Sequence, residues 1–279
     1  MSSAKDAWTL IYGGGRVFPF AMRVEDVDIR AIARSLSRPR WLNHTALPIT
    51  ISDHSSRVGL IAEAEAIRRG LPPEAVRLTA QRGHLHDCGE SVFPDMPGPI
   101  KRFAYFRIDG EYVEYGEAER RFHDVALEAL GVPVEIDHEI AQIVDWADLV
   151  LLATEKRDLV PWPEPAPWGQ GLPAPLPGRL VPLSAEDSER AFLYRWRQIC
   201  PDAALLDRDL DVFGNCFLEP KTYRRINPQA IENSPDPTTN EIVVSISLPK
   251  AIAGAPLQPV WEDPDAAAYR AMKGRGGGV

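Results

Sequence analysis

The chain has 279 residues, and its 40 acidic and 31 basic side chains leave a formal net charge of −9 at pH 7. This acidic balance argues against a polymeric nucleic acid as the main partner, because proteins that bind one usually carry a basic face. The length predicts about one to two domains, enough to bury a substantial core without disulfides. The 26 prolines exceed the usual share of about 5%.

Nothing in the sequence indicates a membrane or an export signal. The longest apolar runs, such as 149–153, fall far short of the ~20 residues that a membrane span needs. The N-terminus lacks the apolar stretch of a signal peptide. The three cysteines are an odd number at wide spacing, which fits a reducing compartment better than a disulfide framework. We therefore expect a cytoplasmic protein.

Hydrophobic periodicity predicts a mostly helical chain. Two short β-type runs around Gly13, Gly14 and Gly15 predict an N-terminal hairpin. Apolar side chains at helical spacing follow, and the longest regular pattern covers 135–159. The predicted helices span about 28–38, 50–69, 73–88, 100–106, 111–130, 135–159 and 184–199.

The prolines cluster between the last two predicted helices. Residues 161–182 hold eight of them, which predicts an extended, semi-rigid strap rather than a packed element. Ser184 is suited to cap the final helix. After Cys200 the pattern decays, and only 241–248 is typical of a strand. We therefore divide the chain into a domain over 1–200, which includes the strap, and a C-terminal extension over 201–279 of unknown role.

Four side chains are candidate metal ligands, and each lies on or at the end of a predicted helix. They are His54, the adjacent pair His86 and Asp87, and Asp148. Mixed imidazole and carboxylate ligands suit a divalent transition metal better than calcium or magnesium. Their spacing alone is a weak signal, since a chain with six histidines and 40 acidic residues contains such sets by chance. The segments around them carry more weight.

These segments resemble the HD-domain metal-dependent phosphohydrolases. LHDCGESVFPDMPGPIK (85–101) is similar to the signature of that family. VDIRAIARSLSRPRWLNHT (27–45) and ISDHSSRVG (51–59) resemble its first two helices, and WADLVLLATEKRDLVP (146–161) resembles its last ligand helix. The likeness is closest to the nucleotide-directed branch, which includes bacterial 5′-deoxynucleotidases and phage dATP triphosphohydrolases. It covers about residues 8–200 and leaves out 201–279.

The resemblance implies a fold and a metal centre. The fold is an all-α HD-domain helical bundle with a short N-terminal β element and an irregular C-terminal extension. The cofactor is one or more divalent transition metal ions, with Zn, Mn, Co and Fe as candidates. The implied ligands of the catalytic ion are His54, His86, Asp87 and Asp148.

The resemblance also implies roles for five residues near these ligands. Glu90 matches the family's catalytic acid, which orients or deprotonates the water bound to the metal. Asp95 matches a second functional acid near the sugar or the leaving group. Three residues match substrate contacts: Arg40 a phosphate-binding arginine, Trp41 a residue packed against the sugar, and Lys101 a lysine placed toward the phosphates.

The residue types suit this chemistry independently. A nucleotide phosphate is anionic, so its hydrolysis needs a Lewis acid and a nucleophile available near neutral pH, and a bound metal supplies both. Arginine binds phosphate in a bidentate way, and lysine binds it as a point charge. A chain of charge −9 needs such local positive groups to admit an anion.

The predicted function is therefore divalent-metal-dependent hydrolysis of phosphate bonds in a (deoxy)nucleotide. The N-terminal β run and the strap with its final helix resemble the phage-type enzymes more than the bacterial nucleotidases, and this resemblance implies a deoxynucleoside triphosphate, with dATP as a candidate. A 5′-deoxynucleotidase that releases phosphate from a dNMP is the close alternative. A nucleotide-sensing binding module, whose residues 201–279 recruit a partner, is the alternative from another class. Relatives of this kind are often oligomeric, so a homo-oligomer stays open; no membrane partner is expected.

Two further residues near the ligands are predicted to be structural. His84 lies about 200° of helix rotation before His86, so its side chain is expected to face away from the site. Cys88 follows Asp87 directly, and we interpret it as a packing residue rather than a thiol nucleophile.

Overall fold

The computed structural model describes Ser3 and residues 6–38, 45–160, 169 and 171–200. Within this part the chain is mostly helical, as predicted, with seven helices and two small sheets. The helices are α1 Ile29–Leu36, α2 Ile51–Arg68, α3 Pro73–His84, α4 Gly98–Lys101, α5 Tyr115–Ala129, α6 His138–Leu159 and α7 Ala185–Ile199. The strands are β1 Thr9–Leu10, β2 Arg16–Val17, β3 Tyr105–Ile108 and β4 Glu111–Glu114. The extension over 201–279, with its predicted strand, lies outside the described residues.

The local sequence explains where several helices begin. Asp28, Thr50 and Ser184 precede α1, α2 and α7, and each accepts a hydrogen bond from a backbone N–H of the first turn. A short polar side chain at this position satisfies one of the N–H groups that the helix leaves without an internal partner. The capping role predicted for Ser184 is thereby confirmed. The predicted N-terminal hairpin is confirmed too, since β1 and β2 pair in the antiparallel sense.

The segment before α5 differs from its prediction. The helix predicted over 111–130 begins only at Tyr115, and the helix predicted over 100–106 is confined to Gly98–Lys101. Between them β3 and β4 form an antiparallel hairpin. The inward side chains of this hairpin, Phe106 and Val113, pack against the core. Burial of these two apolar groups therefore outweighs the helix propensity of residues 111–114.

The turn of this hairpin carries the sequence signal that the helix prediction overlooked. Asp109 and Gly110 both have positive φ, 51° and 99°. A two-residue turn of this kind matches the twist of the flanking strands and favours Asp-Gly. Asp-Gly between two short β-type runs thus indicates a hairpin.

The described end of the strap has no helix or strand, as predicted, yet it is fixed to the helical body. Asp53 and Arg57 of α2 form a buried ion pair with Oδ1 and Nε 2.7 Å apart. The other oxygen of Asp53 accepts a hydrogen bond from the backbone of Leu183, and Arg57 donates to the carbonyl of Val181. Both charges are thus compensated by hydrogen bonds as well as by each other, which is the condition for burying them.

Close packing of α2 on α3 sets the position of the candidate site. A Cβ atom on Gly59 would lie 3.1 Å from the carbonyl oxygen of Ala80, and one on Gly83 would lie 3.1 Å from the Cα of Gly59. Only glycine at both positions lets the two backbones approach so closely. The approach brings the end of α3 beside the first turns of α2.

The apolar core has two parts. One lies around α1, α5 and α7 and includes Phe122 and Trp196; the other lies between α2, α6 and the strap and includes Val58 and Leu151. None of the helices in the described part of the chain combines the length and the apolar content that crossing a bilayer requires.

His84 packs into the first of these parts, away from the candidate ligands, as predicted. Its ring is fully buried and stacks on Phe192, with 4.0 Å between ring centroids. Burial lowers the pKa of His84 from 6.5 to about 3, and the charge of Arg195 acts in the same direction. The imidazole is therefore neutral in the folded protein at pH 7.

We expect the protein to lose stability in mild acid, because this buried imidazole stays neutral. Below pH 6.5 the unfolded chain takes up a proton at His84 and the folded chain does not. The free energy of unfolding therefore decreases as the pH falls from 6.5 toward 3. Between pH 7.5 and 5.0 this group alone removes about 2 kcal/mol from the free energy of unfolding. Urea unfolding of the wild type and of His84→Leu, with a chelator present, measures the difference. An equal loss in both proteins would contradict the assignment.

Candidate metal centre

The four candidate ligands come from three places in the chain and meet at one point. His54 lies in the first turn of α2, and Asp148 lies in the middle of α6. His86 and Asp87 occupy the short connection between α3 and a 3-10 turn, Cys88–Ser91. The packing of α2 against both α3 and α6 brings these distant positions together.

Each imidazole faces both carboxylates. Nε2 of His54 lies 3.0 Å from Oδ1 of Asp148 and 3.8 Å from Oδ2 of Asp87. Nε2 of His86 lies 3.1 Å from that same atom of Asp87 and 3.8 Å from Oδ1 of Asp148. Donor atoms of His54, His86 and Asp148 all lie within 4.8 Å of one another. The four side chains therefore enclose a space of the size that one ion occupies.

The outer nitrogen of each imidazole is held by an acceptor. Nδ1 of His54 lies 2.6 Å from Oε1 of the fully buried Glu155, and Nδ1 of His86 lies 2.8 Å from the carbonyl oxygen of Gly83. A carbonyl oxygen can only accept, so Nδ1 of His86 carries the hydrogen, and its Nε2 presents a lone pair when the ring is neutral. Partners of this kind fix the tautomer and orientation of metal-binding histidines.

In the centre, the Nε2 atoms of the two imidazoles thus face carboxylate oxygens of Asp148 and Asp87. Nε2 of His86 makes no hydrogen bond within the described residues although Asp87 is close. Acceptors that face each other need a cation between them, which is either a metal ion or protons on the two rings. Two nitrogen and two oxygen donors suit a divalent transition metal. The residues present therefore fit such an ion.

The two imidazoles favour the ionised form of the Asp148 carboxylate. Burial alone would raise the pKa of Asp148, but the hydrogen bond from His54 and the charges of His86 and His54 outweigh it and lower the pKa to about 2. The Asp148 side chain is 38% exposed, so the centre is open to solvent on this side.

Glu155 contributes to the centre from outside, and we expect its removal to weaken metal binding. Glu155→Gln keeps an oxygen near Nδ1 of His54 but loses the charge. Loss of such an outer partner lowers metal affinity by about 10- to 100-fold. Titration calorimetry with Mn²⁺ or Zn²⁺ measures it. Glu139→Gln, an exposed position on the same helix, should bind like the wild type; equal affinity in all three proteins would contradict the role.

Glu90 lies in the 3-10 turn that follows the ligand pair. Its side chain is buried, and its backbone N–H donates to the carbonyl of Asp87. Asp95 lies in the loop that follows, partly buried. The charges of both carboxylates act on the partly buried guanidinium of Arg38. The two predicted acids thus belong to one charged cluster with Arg38.

Lys101 borders this cluster. Its ammonium group pairs with Glu119 and lies 5.8 Å from the ring centre of Tyr115. Burial raises the pKa of the Tyr115 hydroxyl, and Glu119, Glu90 and Asp95 add to the effect while Lys101 opposes it. The hydroxyl is therefore protonated near neutral pH and donates to the carbonyl of Pro94. The predicted contact of Lys101 with phosphates stays a prediction.

Two predicted substrate contacts, Arg40 and Trp41, lie outside the described residues. Cys88 is fully buried, and this burial raises the pKa of its thiol. A protonated, enclosed thiol is a packing group, in agreement with the prediction.

Two residues that contact the site, Glu155 and Arg38, were not predicted from the sequence. Glu155 lies seven residues after Asp148, which is two turns along the same face of α6, so helical spacing from the ligand could have found it. Arg38 lies two positions before the predicted Arg40 in SRPR, and no pattern in the sequence separates the two arginines.

No known family model matches the sequence. The chain is 25% identical over 194 residues to the uncharacterized protein YfdR of Escherichia coli (strain K12), and the match spans 67% of this chain and 93% of that protein. The helical fold and the geometry of the site therefore carry the functional argument.

Proposed function

We propose that the chain is a metal-dependent phosphohydrolase of the HD-domain type that acts on (deoxy)nucleotides. The observation that carries the proposal is the meeting of His54, His86, Asp87 and Asp148 around one point, with both Nε2 atoms turned toward two carboxylates. These are the positions at which the resemblance implies metal ligands. A helical body whose α2, α3 and α6 deliver them is consistent with an HD-domain bundle.

The four ligands would hold one divalent transition ion, with Zn, Mn, Co and Fe as candidates. When bound, such an ion supplies a Lewis acid to a phosphoryl oxygen and lowers the pKa of a coordinated water. The contacts of their outer nitrogens with Glu155 and with the carbonyl of Gly83 orient the two imidazoles. The low pKa of Asp148 keeps that carboxylate ionised at any pH relevant to the cell.

The neighbouring cluster would handle the proton and the substrate charge. Glu90 would accept a proton from the attacking water, and a carboxylate in this role typically contributes about 10²- to 10⁴-fold to the rate. Asp95 would act near the leaving group. Positive charge for the phosphates would come from Lys101 and from Arg40, in a protein whose net charge is −9.

As the substrate class we favour a deoxynucleoside triphosphate, with dATP as a candidate, over a deoxynucleoside monophosphate. The small-molecule partner and a homo-oligomer are further proposals that follow from the resemblance, and the proposed cytoplasmic location follows from the cysteine usage.

A nucleotide panel with product identification tests the proposal. The full chain is stripped of metal, reconstituted with Mn²⁺, Co²⁺, Zn²⁺ or Fe²⁺, and assayed on the four dNTPs and the four dNMPs. Deoxynucleoside plus triphosphate from a dNTP is the expected result. Orthophosphate from a dNMP would identify a 5′-deoxynucleotidase instead. Binding of nucleotides without turnover under every metal would contradict the enzyme and favour the sensing module.

A further inference from the structure

Arg38 connects the end of α1 to the turn that carries Glu90. One guanidinium nitrogen of Arg38 donates to the backbone carbonyl of Glu90, and the other donates to Oγ of Ser35 at 2.9 Å. Ser35 in turn donates to the carbonyl of Ser91. The carbonyls of Glu90 and Ser91, which follow one another in the turn, therefore accept hydrogen bonds from side chains in α1 and just after it.

The position of Arg38 is fixed from the other side as well. Its own carbonyl accepts a hydrogen bond from the backbone of Ile51, the first residue of α2, at 3.2 Å. The opposite face of the turn is closed by α5, because a Cβ on Gly89 would lie 2.9 Å from Cγ of Glu119. The turn thus lies between α5 and the Arg38 guanidinium.

The charge of Arg38 is directed at the acids of the site. Burial of the guanidinium lowers the pKa of Arg38, while the negative charges of Glu90 and Asp95 act in the opposite direction. Two hydrogen bonds and the charges of two carboxylates thus compensate this partly buried cation.

We propose that Arg38 is a positioning residue for the hydrolytic reaction: it anchors the Cys88–Ser91 turn and offsets the charge of Glu90 and Asp95, and thereby holds the Glu90 carboxylate in place. The inference rests on the function proposed above. It assigns to Arg38 an action through Glu90 and no contact with the substrate. The expected signature is a change in kcat with little change in KM.

A cavity of about 330 Å³ borders Arg38 and makes a chemical rescue feasible. Arg38, Ser35, Ser91 and Arg34 are among the residues that line it. Truncation of Arg38 to alanine would enlarge this space, and a guanidinium ion in solution is small enough to enter it. Arg34 provides a matched control, because it lies on α1, lines the same cavity and pairs with Glu189 in an exposed position.

The test compares Arg38→Ala, Arg38→Lys and Arg34→Ala as full, metal-loaded chains. We expect the kcat of Arg38→Ala to fall by about 10- to 100-fold, which is part of what acid–base catalysis contributes to the rate. Its KM should change by less than about threefold, and its metal content should stay unchanged. Arg38→Lys should retain more activity than Arg38→Ala, and guanidine hydrochloride at low millimolar concentration should restore part of the loss. Arg34→Ala should match the wild type.

A second measurement is independent of turnover. Hydrogen exchange of the peptide 85–93 should be faster in Arg38→Ala than in the wild type or in Arg34→Ala. Unchanged exchange in this peptide would overturn the role proposed for Arg38, whether or not the wild type is active. An inactive wild type would count against the proposed function instead. A higher KM at unchanged kcat, or loss of metal, would also overturn the role proposed for Arg38, because Arg38 would then contact substrate or support the fold.

Discussion

Asp148→Ala is expected to abolish tight metal binding and, with it, hydrolysis. Asp148 supplies the oxygen nearest to Nε2 of His54, at 3.0 Å, and it also faces His86. Loss of an outer partner already weakens metal binding by about 10- to 100-fold, so loss of a direct ligand should weaken it by more than about 100-fold. Activity at a fixed, limiting metal concentration should fall in the same proportion.

The measurement is metal content after dialysis, together with titration calorimetry of the metal-free protein. Asp145→Ala is the matched control, since Asp145 lies three residues earlier on α6 in an exposed position. This control should bind and hydrolyse like the wild type. If Asp148→Ala bound metal normally, the ion would lie elsewhere and the centre described above would hold only protons.

Helix positions in the described part of the chain were largely predictable because local patterns set them. The apolar period and the capping residues define α2 and α7, whose bounds fall within about two residues of the prediction. The ends of the β3 and β4 hairpin were predicted to belong to two helices, 100–106 and 111–130, with Val113 on the inward face of the second. The packing of Phe106 and Val113 against the core is a tertiary effect that local propensity does not contain.

The site was predictable only in part. His54, His86 and Asp148 are separated by 31 and 61 residues in the sequence, and no local periodicity links such distant positions. The resemblance to a known family singled them out. Helical spacing from Asp148 points to Glu155, but the contacts through which Glu155 and Arg38 act depend on how the helices pack.

The second large effect is expected for Glu90→Gln. This change keeps the size of the side chain but removes the ability to accept a proton, so kcat should fall by about 10²- to 10⁴-fold. Metal binding should stay within about threefold of the wild type, because the role proposed for Glu90 is to accept a proton and not to hold the ion. The pair of results separates a role in catalysis from a role in metal binding.

Steady-state kinetics with the best substrate from the nucleotide panel, at saturating metal, measures the effect. Glu74→Gln is a suitable control, since Glu74 is exposed in the first turn of α3, the helix that leads to the ligand pair. A drop in kcat with retained metal would separate the roles of Glu90 and Asp148. A Glu90→Gln protein with full activity would show that another group takes the proton, and Asp95, which shares the Arg38 cluster, would then be the residue to replace next.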